Sequence, residues 1–150
     1  MPEYKESLSA DDALLLDNQL CFPLYACARE VVKRYRPFLD DLGLTYTQYI
    51  AMMVLWEREQ VSVKELGECL WLDSGTLTPV LKKLEAKGYI KRSRSETDER
   101  TVLLSVTRSG WDLREQAAGI PEQVGAGLCL TQEEAGTLYA LLHKTLAGFK

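Results

Sequence analysis

At 150 residues the chain has the length of one ordinary domain, enough to bury most of its unfolded surface in a single core. Charged residues at 27% and hydrophobic ones at 46% exclude a disordered or fibrous composition, and no apolar stretch approaches the roughly 20 residues that span a bilayer. The formal net charge of −4 argues against a nucleic-acid partner only if charge is evenly spread, and here it is not: Lys82 to Arg100 holds seven basic residues (Lys82, Lys83, Lys87, Lys91, Arg92, Arg94, Arg100) against four acidic ones (Glu85, Glu96, Asp98, Glu99).

In chain order, the opening residues lack a basic segment followed by an apolar run and a cleavage site, so no signal peptide is expected and the cytoplasm is the expected compartment. Asp11 to about Arg36 has helical spacing, with Leu24, Ala28, Val31, Val32 and Tyr35 recurring every three or four residues. Pro23 tolerates a first turn better than a helix interior, so the main helix either starts near Phe22 or bends there. Pro37 and Gly43 bracket a predicted break, and Thr45 to about Glu59 is a second helix. Ser62-Val63-Lys64-Glu65 is a capping box opening a short helix with Leu66, Cys69 and Leu70 on one face. Trp71-Leu72 makes a turn, and Asp73 or Ser74 caps a helix running to about Lys87 and stopped by Gly88. Leu77, Val80, Leu81 and Leu84 form its core stripe. Tyr89–Arg94 and Thr101–Val106 read as a two-stranded hairpin with a polar tip. Thr107 caps a helix expected to reach about Ala126 with a bend at Pro121, and Thr131-Gln132-Glu133-Glu134 is a second capping box before the last helix.

Helix, tight turn, helix, basic hairpin is the order of a winged helix-turn-helix, and it predicts binding to double-stranded DNA. The outward face of the Ser74–Lys87 helix presents Gly75, Thr76, Pro79, Lys82, Lys83 and Ala86. Small residues at its start allow close approach. Ser74 and Thr76 can bond to phosphates or base edges, Pro79 can touch a thymine methyl, and Lys82 and Lys83 suit phosphates. Arg92, Arg94 and Arg100 lie on the hairpin, where an arginine can enter the minor groove. Asp98 is placed to orient the Arg100 guanidinium through a bidentate pair. A winged helix used only for protein contacts is the competing reading. The fold class is therefore mainly α with a small β-hairpin wing, one domain over 1–150. Its winged helix-turn-helix spans about 45–106, and dimerisation helices span about 11–36 and 107–149. A two-fold dimer matches a pseudo-palindromic operator.

Leu-Asp-Ser-Gly-Thr-Leu-Thr-Pro at 72–79, Leu-Lys-Lys-Leu-Glu at 81–85, Gly-Tyr-Ile at 88–90 and Asp-Glu-Arg at 98–100 resemble the MarR-type regulators. Leu16-Asp17-Asn18-Gln19-Leu20-Cys21-Phe22 narrows the resemblance to the organic hydroperoxide resistance repressors, and it covers nearly the whole chain. The resemblance implies a homodimeric repressor, not an enzyme. It binds no cofactor and releases DNA when an organic hydroperoxide oxidises its N-terminal cysteine, here Cys21. It also implies that Tyr35 and Tyr46 donate hydrogen bonds to that sulfur, and that Tyr25 reaches the partner subunit's site.

Residue chemistry agrees on Cys21. The thiolate is the reactive form, helix N-termini and donors favour it, and Leu20 and Phe22 offer an apolar approach. The bland alternative is an inert buried cysteine. Four cysteines in a cytosolic chain are expected as thiols, and their spacing, with His143 as sole histidine, predicts no metal site. Cys27 lies about 240° around a helix from Cys21, which argues against an intrachain pair, and Cys69 shares a core stripe. Cys129 is either a resolving cysteine for an intersubunit disulfide, as some family members have, or a loop thiol while a small thiol caps the sulfenic acid. Two other functions compete: a repressor gated by a small aromatic ligand in a crevice near Trp56 and Tyr35, and a thiol peroxidase, for which nothing besides Cys21 looks catalytic.

Overall fold

The computed structural model describes residues 9–98 and 100–149. Most of the opening segment, and Glu99 of the expected polar tip, lie outside them. Two 3₁₀ turns, Asp12–Leu14 and Leu16–Asn18, lead into helix α1, Cys21–Asp41. There follow α2 (Tyr46–Arg58), β1 (Gln60–Ser62), α3 (Val63–Leu70), α4 (Ser74–Ala86), β2 (Ile90–Arg94), β3 (Val102–Val106), α5 (Arg108–Ala117), α6 (Ile120–Gly125) and α7 (Gln132–Ala147). The chain divides into two compact units, one ending at Ile120 and the other beginning at Pro121.

Local signals placed the helix starts. The side chains of Thr45, Ser62, Thr107 and Thr131 each accept a hydrogen bond from the backbone N–H three residues on. At Ser62 and Thr131 a glutamate returns the favour to the cap's own N–H, completing both expected capping boxes. Asp73, not Ser74, caps α4. Trp71 takes a left-handed conformation (φ 56°) to end α3, and its N–H bonds the Gly67 carbonyl, which turns the chain sharply into α4.

Three expectations are corrected. The wing is not a two-stranded hairpin: β1 joins it, giving an antiparallel sheet in the order β1-β3-β2, with Val61 opposite Leu104 and Arg92 opposite Leu104 from the other side. Pro37 does not break α1, which runs on to Asp41. Proline removes one bond to the carbonyl four residues back. Both Pro37 and Lys33 are exposed, so water can satisfy that carbonyl. Finally, the chain after Thr107 forms two helices rather than one bent at Pro121. The break falls at Ala118-Gly119, and Pro121 sits in the first turn of α6, where its missing N–H costs nothing.

The core of the first unit is built from Leu39, Met52, Leu55, Leu66, Leu77, Leu81, Leu84, Ile90 and Leu104, all nearly inaccessible. The amphipathic stripe of α4 therefore packs as its spacing required, and its opposite face is left to solvent. Gly110 marks the tightest junction: a Cβ there would collide with the Tyr89 carbonyl and crowd Val106 at 2.7 Å, so only glycine lets α5 sit against the root of the wing.

Candidate functional site

The outer face of α4 is the first candidate surface. Ser74, Gly75, Thr76, Pro79, Lys82 and Lys83 are all exposed, as expected from the sequence. Asp73 holds the start of the helix with both carboxylate oxygens: Oδ1 accepts from the Thr76 backbone N–H at 2.9 Å and Oδ2 from the Thr76 hydroxyl at 2.8 Å. These bonds, the backbone one foremost, hold the Asp73 carboxyl below its ordinary range. The Thr78 hydroxyl donates to the Ser74 carbonyl at 2.6 Å.

The wing is built differently from expectation at two positions. Arg92 donates to Glu85 of α4 through both Nε (2.8 Å) and Nη2, tying the strand to the helix. Its charge is locally neutralised, and the same bonds lower the Glu85 carboxyl. Asp98 does not grip the Arg100 guanidinium. Its Oδ1 accepts from the Arg100 backbone N–H at 3.0 Å and its Oδ2 from the Thr101 hydroxyl at 2.8 Å, shaping the tip of the wing. Arg94 and Arg100 are exposed, and neither guanidinium is paired among the described residues. Sequence reasoning missed the Glu85–Arg92 tie, because the two residues belong to different elements and only the fold joins them.

The second candidate is Cys21, the first residue of α1. It is exposed, as are Leu20 and Phe22 beside it. Leu20 supplies no side-chain cap, and Pro23 has no N–H, so Cys21 and Phe22 carry the uncapped N–H groups at the start of the helix. Tyr25 is 58% exposed one turn on, with the Arg29 guanidinium 5.5 Å from its ring centroid.

Tyr35 and Tyr46 do come together, with ring centroids 5.0 Å apart. Tyr49 joins them at 5.7 Å from Tyr35, and Trp56 follows at 6.3 Å from Tyr49 with its indole N–H on the Gly110 carbonyl at 2.8 Å. Burial raises the phenol pKa of Tyr35 and Tyr46, so both remain protonated donors at neutral pH. Neither hydroxyl has a hydrogen-bond partner within the described chain. Cys21 is not among these rings. It stands fourteen residues before Tyr35 on the same continuous helix, about 21 Å away along the axis. One chain thus carries a thiol at one end of α1 and a pair of unused donors near the other.

Cys27 and Cys129 are exposed and Cys69 half-buried; all four cysteines are free thiols. Cys129 precedes α7 in a left-handed conformation (φ 54°). Among the described residues no cluster could hold a metal ion and no helix is long and apolar enough to cross a membrane. An open groove of about 770 Å³ runs between α1 and α2, lined by Val32, Leu39, Leu44 and Tyr46 together with Arg29, Lys33 and Arg36.

Two helices joined by a tight turn and backed by a three-stranded wing define a winged-helix protein. Residues 33–116 match the family model described as transcriptional regulator SarA/Rot. The chain is 49% identical over 140 residues to the organic hydroperoxide resistance transcriptional regulator of Bacillus subtilis (strain 168), covering 89% of this chain and 95% of that one. It belongs to that family of MarR-type regulators. Among solved structures it is similar to reduced AbfR bound to DNA, at 35% identity and TM-score 0.72, covering 90% of this chain and 94% of the other. It also resembles the disulfide-formed AbfR, at 34% identity and TM-score 0.64 over 89% and 91%. AbfR is a protein of Staphylococcus epidermidis.

Proposed function

We propose that the protein is a homodimeric transcriptional repressor in the cytoplasm, which binds a pseudo-palindromic operator and releases it when an organic hydroperoxide oxidises Cys21. The observation that carries this reading is the division of labour along α1. An exposed thiol at its first residue and a pair of unpartnered tyrosine donors lie about 21 Å apart. A sulfur can meet Tyr35 and Tyr46 only if a second copy brings its α1 alongside in the opposite direction. The faces of α1 and α7 supply the apolar surface for that pairing: α1 buries only Leu39, and α7 buries no residue while exposing Leu138, Leu141, Leu142 and Leu146.

In the reaction, the Cys21 thiolate attacks the outer peroxide oxygen. An S–O bond forms, the O–O bond breaks, and the alkoxide leaves as an alcohol after taking a proton. The phenols of Tyr35 and Tyr46 hold the charge on sulfur before attack. Sulfenic acid then no longer fits the same donors, and the dimer spacing that presents two α4 helices to successive major grooves changes. DNA contacts come from Ser74, Thr76, Pro79, Lys82 and Lys83 of α4 and from Arg94 and Arg100 of the wing. A regulator of this kind reacts once per oxidation event, which separates it from a peroxidase.

Duplexes selected by the unmodified protein from a random pool provide the operator for a test with cumene hydroperoxide. The unmodified protein should release its duplex, and Cys21→Ser should bind equally well and stay bound. Release by Cys21→Ser at normal peroxide sensitivity would overturn the assignment. Non-reducing gels assign Cys129: a covalent dimer that Cys129→Ser abolishes makes it the resolving cysteine, and a monomer in both cases makes it a bystander. The groove beside Tyr46, with Arg29, Lys33 and Arg36 on an apolar lining, favours the second reading of a repressor gated by an aromatic carboxylate. That reading takes over if release occurs with all thiols unchanged.

A further inference from the structure

The bonds at the start of α4 have a directional consequence. Asp73 as a carboxylate has no proton to donate. Its Oδ2 lies 2.8 Å from the Thr76 hydroxyl, so that hydroxyl must give its proton to Asp73. The Thr76 backbone N–H on Oδ1, at 2.9 Å, fixes the carboxylate so that the second oxygen cannot turn away. Gly75 keeps the arrangement open, because a Cβ there would come within 2.9 Å of Asp73 Oδ1. What Thr76 still offers outward is a pair of lone pairs and a methyl group. The neighbouring Ser74 is not committed in this way; its hydroxyl makes no bond within the described chain.

Thr76 is exposed in the first turn of α4, on the same face as Pro79 and Lys83. In a helix-turn-helix the first residues of the second helix are those that meet base edges in the major groove. A free hydroxyl can read either kind of edge, since it can donate or accept. We infer that Asp73 is a specificity-determining positioning residue: by taking the Thr76 proton it makes Thr76 an acceptor alone, which selects an amino base (adenine N6 or cytosine N4) over a keto base (guanine O6 or thymine O4) on the strand it faces. This rests on the reading of α4 as the DNA-contacting helix and adds to it the chemical class of base that one residue reads.

Asp73→Asn tests the polarity. Asparagine caps a helix as well as aspartate does. Its Oδ1 keeps the Thr76 N–H while its Nδ2 donates to the Thr76 oxygen, so the hydroxyl proton turns outward and Thr76 becomes a donor. The full-length protein and its variants each select from a duplex pool randomised over 24 ± 4 positions, about two helical turns. For the unmodified protein, one position of each half-site is enriched roughly five- to tenfold in adenine or cytosine, and the recovered base shows which amino group is read. Asp73→Asn moves that position to guanine or thymine. Thr76→Val, which keeps the shape and loses the hydroxyl, removes the amino-keto distinction, and Thr76→Ser, which keeps the bond to Asp73, restores it. Superimposable preferences for the unmodified protein and Asp73→Asn overturn the proposal, as does an unchanged preference in Thr76→Val should Asp73→Asn select nothing. If the unmodified protein itself enriches no sequence, the DNA-binding reading has failed and the proposal falls with it, an outcome distinct from the other two.

Discussion

Lys82 and Arg92 look equivalent in the sequence, yet they are expected to behave oppositely in a salt titration. Lys82 is exposed on the outer face of α4 and has no ion pair among the described residues. Arg92 is spent on Glu85. Each cation that meets a phosphate contributes about 0.9 to the slope of log affinity against log salt, and the proposed homodimer would present each residue twice. Lys82→Ala should therefore flatten the slope by about 1.8. Between 50 and 200 mM salt, a fourfold change, the affinity gap between unmodified protein and variant should close by about 12-fold. Replacing the pair together, Glu85→Gln with Arg92→Gln, removes two charges that already cancel and should leave the slope unchanged. Fluorescence anisotropy of a labelled operator at several salt concentrations reads both. A slope loss for the double variant as large as that for Lys82→Ala would show Arg92 on a phosphate and refute the argument.

Two further outcomes concern the fold that holds these surfaces. Gly110→Ala forces a Cβ against the Tyr89 carbonyl and Val106, so α5 must shift from the wing root; overpacking of this kind costs about 1–3 kcal/mol, and calorimetry at fixed protomer concentration should show a melting temperature lower by roughly 2–12 °C. An unchanged melting temperature would mean the junction is looser than the structure shows. Glu65 accepts the Ser62 N–H at 2.7 Å, and that bond lowers its carboxyl pKa. A carboxyl lowered by folding stabilises the native state above the ordinary carboxylate range and loses that contribution as pH falls through the lowered value, so the effect lies below about pH 4.3. Glu65→Gln keeps the bond without titrating, and it should lose less thermal stability than the unmodified protein between pH 6 and pH 3; equal losses would remove Glu65 from the acid response.

The parts of the fold that were legible in the sequence are those decided within one or two turns of chain. Ser62 with Glu65, Thr131 with Glu134, and the stripe Leu77-Leu81-Leu84 each specify their outcome through residues three or four apart. What was not legible depends on partners distant in sequence. β1 has only three residues and no pattern of its own; it becomes a strand because β3 offers an edge, pairing Gln60–Ser62 with Leu103–Ser105. Pro37 reads as a stop by local rules, but an exposed helix face lets water replace the lost bond. Asp98 precedes Arg100 closely enough to suggest a side-chain pair, yet the backbone N–H is nearer and gets the carboxylate first.

The redox site shows the same limit more sharply. Cys21 and the tyrosines are individually readable, and their distance follows from arithmetic once α1 is known to be unbroken. The expected break at Pro37 lies beyond Tyr35, so it did not affect that distance; Pro23 did, because a bend there would have left the direction of Cys21 open. With Pro23 instead in the first turn, Cys21 is held at the helix start and its distance from Tyr35 is rigid. With Tyr35 and Tyr46 as the proposed donors, a rigid separation of about 21 Å requires that the sulfur they meet come from a second chain. On the proposed reading, dimerisation and peroxide sensing are therefore not separable. Substitutions that loosen the pairing of two α1 helices should weaken the hold of the donors on sulfur as well as the spacing of the two α4 helices. For substitutions in that pairing surface, loss of sensing and loss of operator affinity should then appear together, whereas Cys21→Ser should lose sensing alone and changes confined to α4 or the wing should alter affinity and leave the oxidation of Cys21 as it was.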